Sequence, residues 1–189
     1  MFLRIILACI PLFGFCSKFD LLIRSGYYNF SSQMVRDIFG NGGAVVQIQG
    51  DLAMGEDAFF WVNADNLTTR GKSIGNLDPT YLNITSVSFG PALRCKPCDW
   101  MRPYIGVGPI GAWVHTEDHS PFLSPSLNSF SMGIVGKLGV DFLYKERFIV
   151  EAFFDYSYQP LFEGLFPALD DVSINMGGYK TGLGIGYAF

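Results

Sequence analysis

The sequence predicts an all-β chain: a closed, antiparallel, up-and-down barrel of eight strands that crosses a membrane. Three observations carry this. Residues 179–189, Y-K-T-G-L-G-I-G-Y-A-F, alternate with a period of two, the mark of a strand whose faces meet different surroundings. Similar segments recur along the chain, joined by connections that run long, short, long, short. The chain is 49% hydrophobic, yet no stretch reaches the roughly 18 consecutive apolar residues a spanning helix needs. In a membrane barrel the lipid-facing residues are diluted one in two by residues facing the lumen.

The last stretch shows the argument best. Tyr179, Thr181, Leu183, Ile185, Tyr187 and Phe189 form an apolar and aromatic ribbon. Lys180, Gly182, Gly184, Gly186 and Ala188 occupy the other face. A solvated face rarely needs four residues with little or no side chain, whereas the crowded interior of a closed barrel does.

The chain has 189 residues, with 18 Phe, 9 Tyr, 3 Trp and 22 Gly, and only 16% of it is charged. That length suits one domain or a small barrel, and the hydrophobicity excludes disorder. The net charge of −4 argues against a nucleic-acid partner. Residues 1–17 read as a signal peptide: Arg4 gives a short positive region, and Ile5 to Phe15 an apolar core too short to span a bilayer. Cleavage is expected somewhere after positions 14–17. Cys16 invites a lipoprotein reading, but Phe15 before it is not small. Residues 18–189 are then the barrel domain.

Taken in order, residues 19–30 read as the first strand, with Arg24 and Gly26 on one face and Leu21, Ile23 and Tyr27 on the other. In residues 31–39, Met34, Val35, Ile38 and Phe39 have helical spacing after a serine cap, so one or two helical turns are expected. Gly40-Asn41-Gly42-Gly43 ends them. Residues 44–54 alternate cleanly, with Gln47, Gln49 and Asp51 opposite Val46, Ile48 and Leu52. Gly55-Glu56-Asp57 is a short turn. Residues 58–64 form a strand so aromatic that its facing is ambiguous, and 65–79 are assigned to a long polar loop. Residues 81–93 return, with Tyr81, Val87, Phe89 and Leu93 on one side. The short Cys95-Lys96-Pro97-Cys98 turn follows. Residues 101–115 form the next strand, in which Pro109 suggests a bulge, and 116–129 a second long loop. Residues 130–144 and 148–158 alternate again around the charged turn Lys145-Glu146-Arg147. Residues 159–171 are the last long loop and 172–189 the last strand.

If the apolar ribbons face lipid, the opposite faces line the lumen. They carry Arg24, Gln47, Gln49, Asp51, Lys137, Asp141, Glu151, Asp155 and Lys180. An eight-stranded barrel has an interior just wide enough for side chains to fill, and an unpaired charge there is costly. These groups are expected to satisfy one another as a polar network that plugs the lumen. Tyr27, Tyr144, Tyr156, Tyr158, Tyr187 and Phe189 are placed near strand ends, where aromatic girdles belong.

With the leader, the strand count, the alternating connections, the Pro103-Tyr104-Ile105-Gly106-Val107-Gly108 segment and the terminal phenylalanine in hand, the chain resembles the small eight-stranded outer-membrane β-barrels of the OmpX and OmpA-transmembrane-domain kind. The resemblance spans the whole mature chain and is architectural. It implies residence in the outer membrane of a Gram-negative-type bacterium, with outer-membrane lipid around the wall and both termini periplasmic. It also implies that Tyr179, Leu183, Ile185, Tyr187 and Phe189 are the signal read by the barrel insertion machinery. The role it implies is structural or surface-interacting and non-enzymatic, without cofactor or metal. The alternative is a barrel like OmpW, or a soluble lipocalin-like one, that binds or passes a small hydrophobic ligand.

Other candidate chemistry is weaker. Cys95 and Cys98 have the spacing of a redox pair or half a zinc site, but no second pair or nearby histidine accompanies them. A disulfide closing a tight turn, or two unpaired turn thiols, is the simpler account. His115-Thr116-Glu117-Asp118-His119 offers ligand types at a strand-to-loop junction, where a solvated loop is the favoured reading. A hydrolase on the barrel wall would need a histidine beside a serine, His115 with Ser88 or Ser131, and nothing in the sequence joins them. Leu161, Phe162, Leu165, Phe166 and Leu169 are too apolar for a freely solvated loop. Residues 160–171 either cap the barrel mouth or present a patch to an extracellular partner.

Overall fold

The computed structural model describes residues 18–72, 79–118, 126–161 and 174–189. The expected signal peptide and nearly all of the 160–171 loop lie outside the described residues. Eight strands and one helix follow in the order β1 (Phe19–Phe30), α1 (Gln33–Phe39), β2 (Gly42–Ala53), β3 (Ala58–Lys72), β4 (Pro79–Arg94), β5 (Met101–Asp118), β6 (Ser126–Tyr144), β7 (Phe148–Tyr158) and β8 (Gly178–Ala188). Each strand pairs antiparallel with its sequence neighbours, and β1 also pairs with β8, so the sheet closes on itself. The all-β, closed, up-and-down architecture of eight strands is therefore what the alternation and the loop pattern predict.

One end of the barrel gathers the start of β1, the end of β8 and the short turns. There the Phe189 N–H donates to Phe19 O at 2.8 Å and the two rings lie 6.0 Å apart. The other end carries α1 and the longer connections. These are called the terminal end and the helix end.

Several boundaries differ from the sequence reading. β3 runs to Lys72 instead of ending at 64, and β4 begins at Pro79. The reason is a polar ladder on the outer wall. Register places Asn66 opposite Thr85 and Thr68 opposite Asn83. The Asn66 amide donates to Thr85 Oγ1 at 2.9 Å, and the Asn83 amide to Thr68 Oγ1 at 2.8 Å. Polarity reads as loop in a sequence, yet here it is cross-strand pairing. For the same reason β5 reaches Asp118 and β6 starts at Ser126. β8 begins at Gly178 and not at 172; just before it, Asn175 Oδ1 accepts from the Gln159 and Gly177 N–H groups at 2.9 and 2.8 Å, which holds this segment outside the ladder.

The helix exists, but Ser32 makes no side-chain capping bond. Arg36 anchors it instead, donating to Phe30 O at 2.7 Å and Ser31 O at 2.9 Å. Gly40 ends it at φ 72°, a left-handed value that suits glycine. The tightest reversal, between β6 and β7, puts Lys145 and Glu146 at φ 53° and 61°, an unfavourable region for side chains of this kind.

Burial follows parity strand by strand. On β7, Ile149, Glu151, Phe153, Asp155 and Ser157 are buried, while Phe148, Val150, Phe154, Tyr156 and Tyr158 are exposed. The ambiguous aromatic strand resolves the same way: Phe59 and Trp61 point inward and Val62 outward.

Candidate functional site: the barrel interior

The interior is layered. At the terminal end, Arg94 from the foot of β4 and Arg102 from the foot of β5 face three aspartates. Arg94 lies 3.2 Å from Asp20, 3.0 Å from Asp51 and 3.2 Å from Asp141. Arg102 lies 3.1 Å from Asp20 and 3.3 Å from Asp141. The Arg94 guanidinium also covers the Phe59 ring at 4.2 Å, a cation–π contact strengthened by desolvation.

Arg24 commands the middle layer and is wholly buried. Its Nε donates to Glu151 at 2.8 Å; its Nη1 donates to Gln47 at 3.0 Å, Gln49 at 2.8 Å and Asp155 at 3.2 Å; its Nη2 donates to Tyr104 Oη at 3.2 Å. The Tyr104 hydroxyl donates in turn to Glu151. Lys137 Nζ donates to Asp155 at 3.1 Å and lies 4.7 Å from the centre of the Trp61 ring. The Gln49 amide donates to Asp51 at 2.9 Å and so links this layer to the one below.

Glycine makes the Arg24–Glu151 pair feasible. Register sets Arg24 beside Gly184 and Gly184 beside Glu151. A Cβ at Gly184 would sit 2.6 Å from Glu151 Oε2 and 3.1 Å from Arg24 Cγ. The pair closes over a residue without a side chain. Gly139 serves Tyr104 likewise, since a Cβ there would fall 2.4 Å from the phenol oxygen.

Above this, Lys180 Nζ donates to Asp65 at 2.6 Å, and Asp65 also accepts from Ser86 at 2.7 Å and Asn63 at 3.2 Å. At the helix end the interior turns apolar. Tyr28, Phe30, Val45, Leu67, Leu82, Ile84, Ala112 and Val114 from the strands meet Val35 and Phe39 of α1 and Ile174 and Met176, with Met34, Ile38 and Leu161 packed against them. About 10 Å³ of free space remains under the helix, roughly one water's worth.

Every residue assigned from sequence to the lumen lies buried inside: Arg24, Gln47, Gln49, Asp51, Lys137, Asp141, Glu151, Asp155 and Lys180. The sequence reading missed Asp20, Asp65, Arg94, Arg102, Asn63 and Tyr104. Parity could have found Asp20, which shares the face of Arg24, and Arg102 and Tyr104, which oppose Ile105 and Val107. Asp65 and Arg94 fall in stretches whose sequence reads as loop.

On the outer wall, Tyr179, Leu183, Ile185 and Phe189 are exposed, and Tyr187 packs edge-on against Phe148 and Phe189 at 5.5 and 4.9 Å. Cys95 and Cys98 are free thiols, the first exposed and the second half-buried, so of the two sequence alternatives this structure holds the unbridged one. His115 points outward, bonded to Asn128 at 2.7 Å and Glu117 at 3.1 Å. Ser88 and Ser131 point into the barrel, and the wall keeps them from the histidine. His119 lies outside the described residues.

The fold is that of the small eight-stranded outer-membrane β-barrel proteins. Among solved structures it resembles Neisserial surface protein A, with a TM-score of 0.66 and 14% identity over 90% of this chain and 97% of that one. It also resembles Ail, the attachment invasion locus protein of Yersinia pestis, solved with the heparin analogue sucrose octasulfate (TM-score 0.58, 16% identity, 91% of this chain and 98% of that one). A third is the outer membrane protein OprG of Pseudomonas aeruginosa (TM-score 0.57, 13% identity, 90% and 95%). No family model matches the sequence, and no curated protein matches it.

Proposed function

We propose that this chain is an integral outer-membrane barrel with a structural or surface-interaction role, its lumen plugged by side chains and its termini and short turns in the periplasm. One observation carries the reading. Charges are inside, and large apolar groups are outside: Ile23 is 57% exposed, Ile48 57%, Ile134 61% and Ile185 67%, while Arg24 is 0% and Lys137 1%. A water-soluble barrel would reverse this, because an apolar surface of that extent aggregates. Lipid makes the arrangement stable, and a closed sheet leaves no unpaired backbone within it.

The outer-wall aromatics support an orientation along the membrane normal. Trp100 stacks on Phe142 at 6.0 Å, and Tyr144, Phe148, Tyr187 and Phe189 gather at the same end. Trp113 meets Phe130 at 5.2 Å toward the other end, close to where the Asn66–Thr85 ladder begins. Aromatics at both edges of an apolar band are how such barrels sit in a bilayer. The exposed ribbon ending in Phe189 is then what the insertion machinery reads. Any extracellular partner contacts the helix end, where β7 finishes and β8 begins.

The test uses two cysteine variants in membranes. In a background with all four native cysteines replaced by serine, so that the exposed Cys95 thiol does not react, Phe154→Cys should react with a lipid-soluble maleimide, and Ser157→Cys, three residues on and facing inward, should not. The reverse pattern would end the proposal. Purified protein in planar bilayers should give no large, stable single-channel currents; such currents would remove the plug while leaving the membrane assignment intact.

The second reading, a site for a small hydrophobic ligand, has the apolar helix-end interior in its favour. With about 10 Å³ free there, it requires α1 to move aside.

A further inference from the structure

The connection between β4 and β5 holds the exposed thiol of Cys95 and the half-buried thiol of Cys98 three residues apart. Its flanks are fixed. The Cys95 N–H donates to Pro103 O at 2.9 Å, Cys98 bridges to Met101, and the Leu143 N–H donates to Trp100 O at 2.8 Å. The Trp100 ring lies against Phe142. Lys96, Pro97 and Asp99 between these anchors are exposed at the surface of the terminal end. The residues just outside the pair are not at the surface. Arg94 precedes Cys95, and Arg102 follows Met101; these two cations hold Asp20, Asp51 and Asp141 together at the lumen floor. The turn is the covalent strap between the two arginines.

We infer that Cys95 and Cys98 are an oxidisable dithiol that reacts with small-molecule disulfides and, when closed, staples the strap under the charged floor of the barrel. The chain reverses at Cys98–Met101, where the Met101 N–H donates to Cys98 O at 3.3 Å. Cys95 lies opposite Pro103 and Cys98 opposite Met101, so the arm from Cys95 to Cys98 runs beside two residues of extended β5, about 6.7 Å, at the upper end of the Cα separation a disulfide spans. The order of events follows from exposure. The Cys95 sulfur, as thiolate, attacks one sulfur of oxidised glutathione; the glutathione S–S bond breaks, one glutathione thiol leaves, and a mixed disulfide forms on Cys95. The Cys98 thiolate then attacks the Cys95 sulfur and expels the second glutathione. Two protein thiols lose two protons and two electrons, and one disulfide becomes two thiols. This chemistry stands on the turn alone. That it occurs in the cell rests on the periplasmic placement of this end, an oxidising compartment.

The experiment uses the folded full-length chain in detergent, in a Cys9→Ser/Cys16→Ser background, so that only this pair titrates. After exposure to oxidised glutathione and an acid quench, free thiols are alkylated with N-ethylmaleimide and the intact mass is read. The expected product is lighter by two hydrogens and carries neither maleimide nor glutathione. Cys98→Ser should stop at a single glutathione adduct, and Cys95→Ser should react about tenfold more slowly because its remaining thiol is less exposed. Hydrogen exchange of the amides in residues 96–100 should slow at least about threefold on oxidation, as expected of a chain segment that loses freedom. A stable glutathione adduct on the two-cysteine protein, disulfide-linked dimers, or two thiols left unreacted would each overturn the pairing. Closure with unchanged exchange would overturn the staple. Fractionation and the maleimide-facing test above address the membrane assignment separately.

Discussion

The two ends of the barrel interior solve the same packing problem with opposite chemistry. From the terminal end to the middle, the lumen is filled by five cations, Arg24, Arg94, Arg102, Lys137 and Lys180, against the acids Asp20, Asp51, Asp65, Asp141, Glu151 and Asp155. At the helix end it is filled by Leu, Val, Ile, Phe and Met side chains under α1. The charged part needs no cover, because each group is held by a partner of opposite sign. The apolar part has no such partners and would face water at the mouth, so the chain spends seven residues on a helix that closes it. The difference teaches that a narrow barrel can be plugged either by directional bonds or by an added element, and this chain uses one at each end.

The largest effect that would sharpen this contrast is at Arg24. Arg24→Met should cost about 3–5 kcal/mol in urea unfolding from detergent, because Glu151 loses its cation while buried and Asp155 keeps only Lys137. Removing the acid left without a cation, in Arg24→Met/Glu151→Gln, should recover part of that loss, while Asp155 stays to hold Lys137. If the single variant were as stable as the parent, the charged plug would not be a network. Phe39→Ala at the helix end should cost about 3 kcal/mol through lost burial and an incompletely collapsed cavity, with local hydrogen exchange accelerated in α1 while β7 and β8 stay protected. An equal acceleration in both regions would mean that the two plugs are one unit. Gly139→Ala should cost about 1–3 kcal/mol in the same unfolding measurement by overpacking against Tyr104, and Tyr104→Phe should leave most of that cost, because a ring carbon that phenylalanine keeps would still lie 2.6 Å from the new Cβ. The smallest effects belong outside the lumen. Replacing Lys145 and Glu146 by Asn-Gly should raise stability by about 0.5–1 kcal/mol, since both positions hold positive φ. Asn83→Ala, which breaks three exposed hydrogen bonds of the wall ladder, should lower it by about 0.5–1 kcal/mol.

Much of the interior was legible because parity is a local property. Once Leu21, Ile23 and Tyr27 are placed outward, Arg24 must point inward, and the same holds for Lys137 against Leu138 and Asp155 against Phe154. What was not legible is who pairs with whom. Direct cross-strand neighbours include Asp141 with Glu151 and Asp20 with Asp51, pairs of like sign that a linear reading would count as repulsive. The folded barrel relieves both from across the lumen. Asp141 lies against Arg94 and Arg102, and Glu151 against Arg24 and Tyr104, while Arg94 takes both Asp20 and Asp51. Lys180 sits directly opposite Asp155 on β7 yet bonds to Asp65 on β3. Strand ends were misread for a related reason. Asn66, Thr68, Asn83 and Thr85 look like loop residues singly and become a ladder only when the strands align.

The sequence by itself determined the two faces of each strand, the number of strands and the order of long and short connections, because these follow from the period-two geometry of an extended backbone and from turn residues nearby in the chain. Only the tertiary structure decided the partners of the buried charges, the reach of β3 through β6 past the sequence boundaries, and the helix-capped apolar mouth. Those depend on closure, which brings together side chains from strands more than a hundred residues apart, such as Arg24 and Glu151, and sets them at separations that no local pattern encodes.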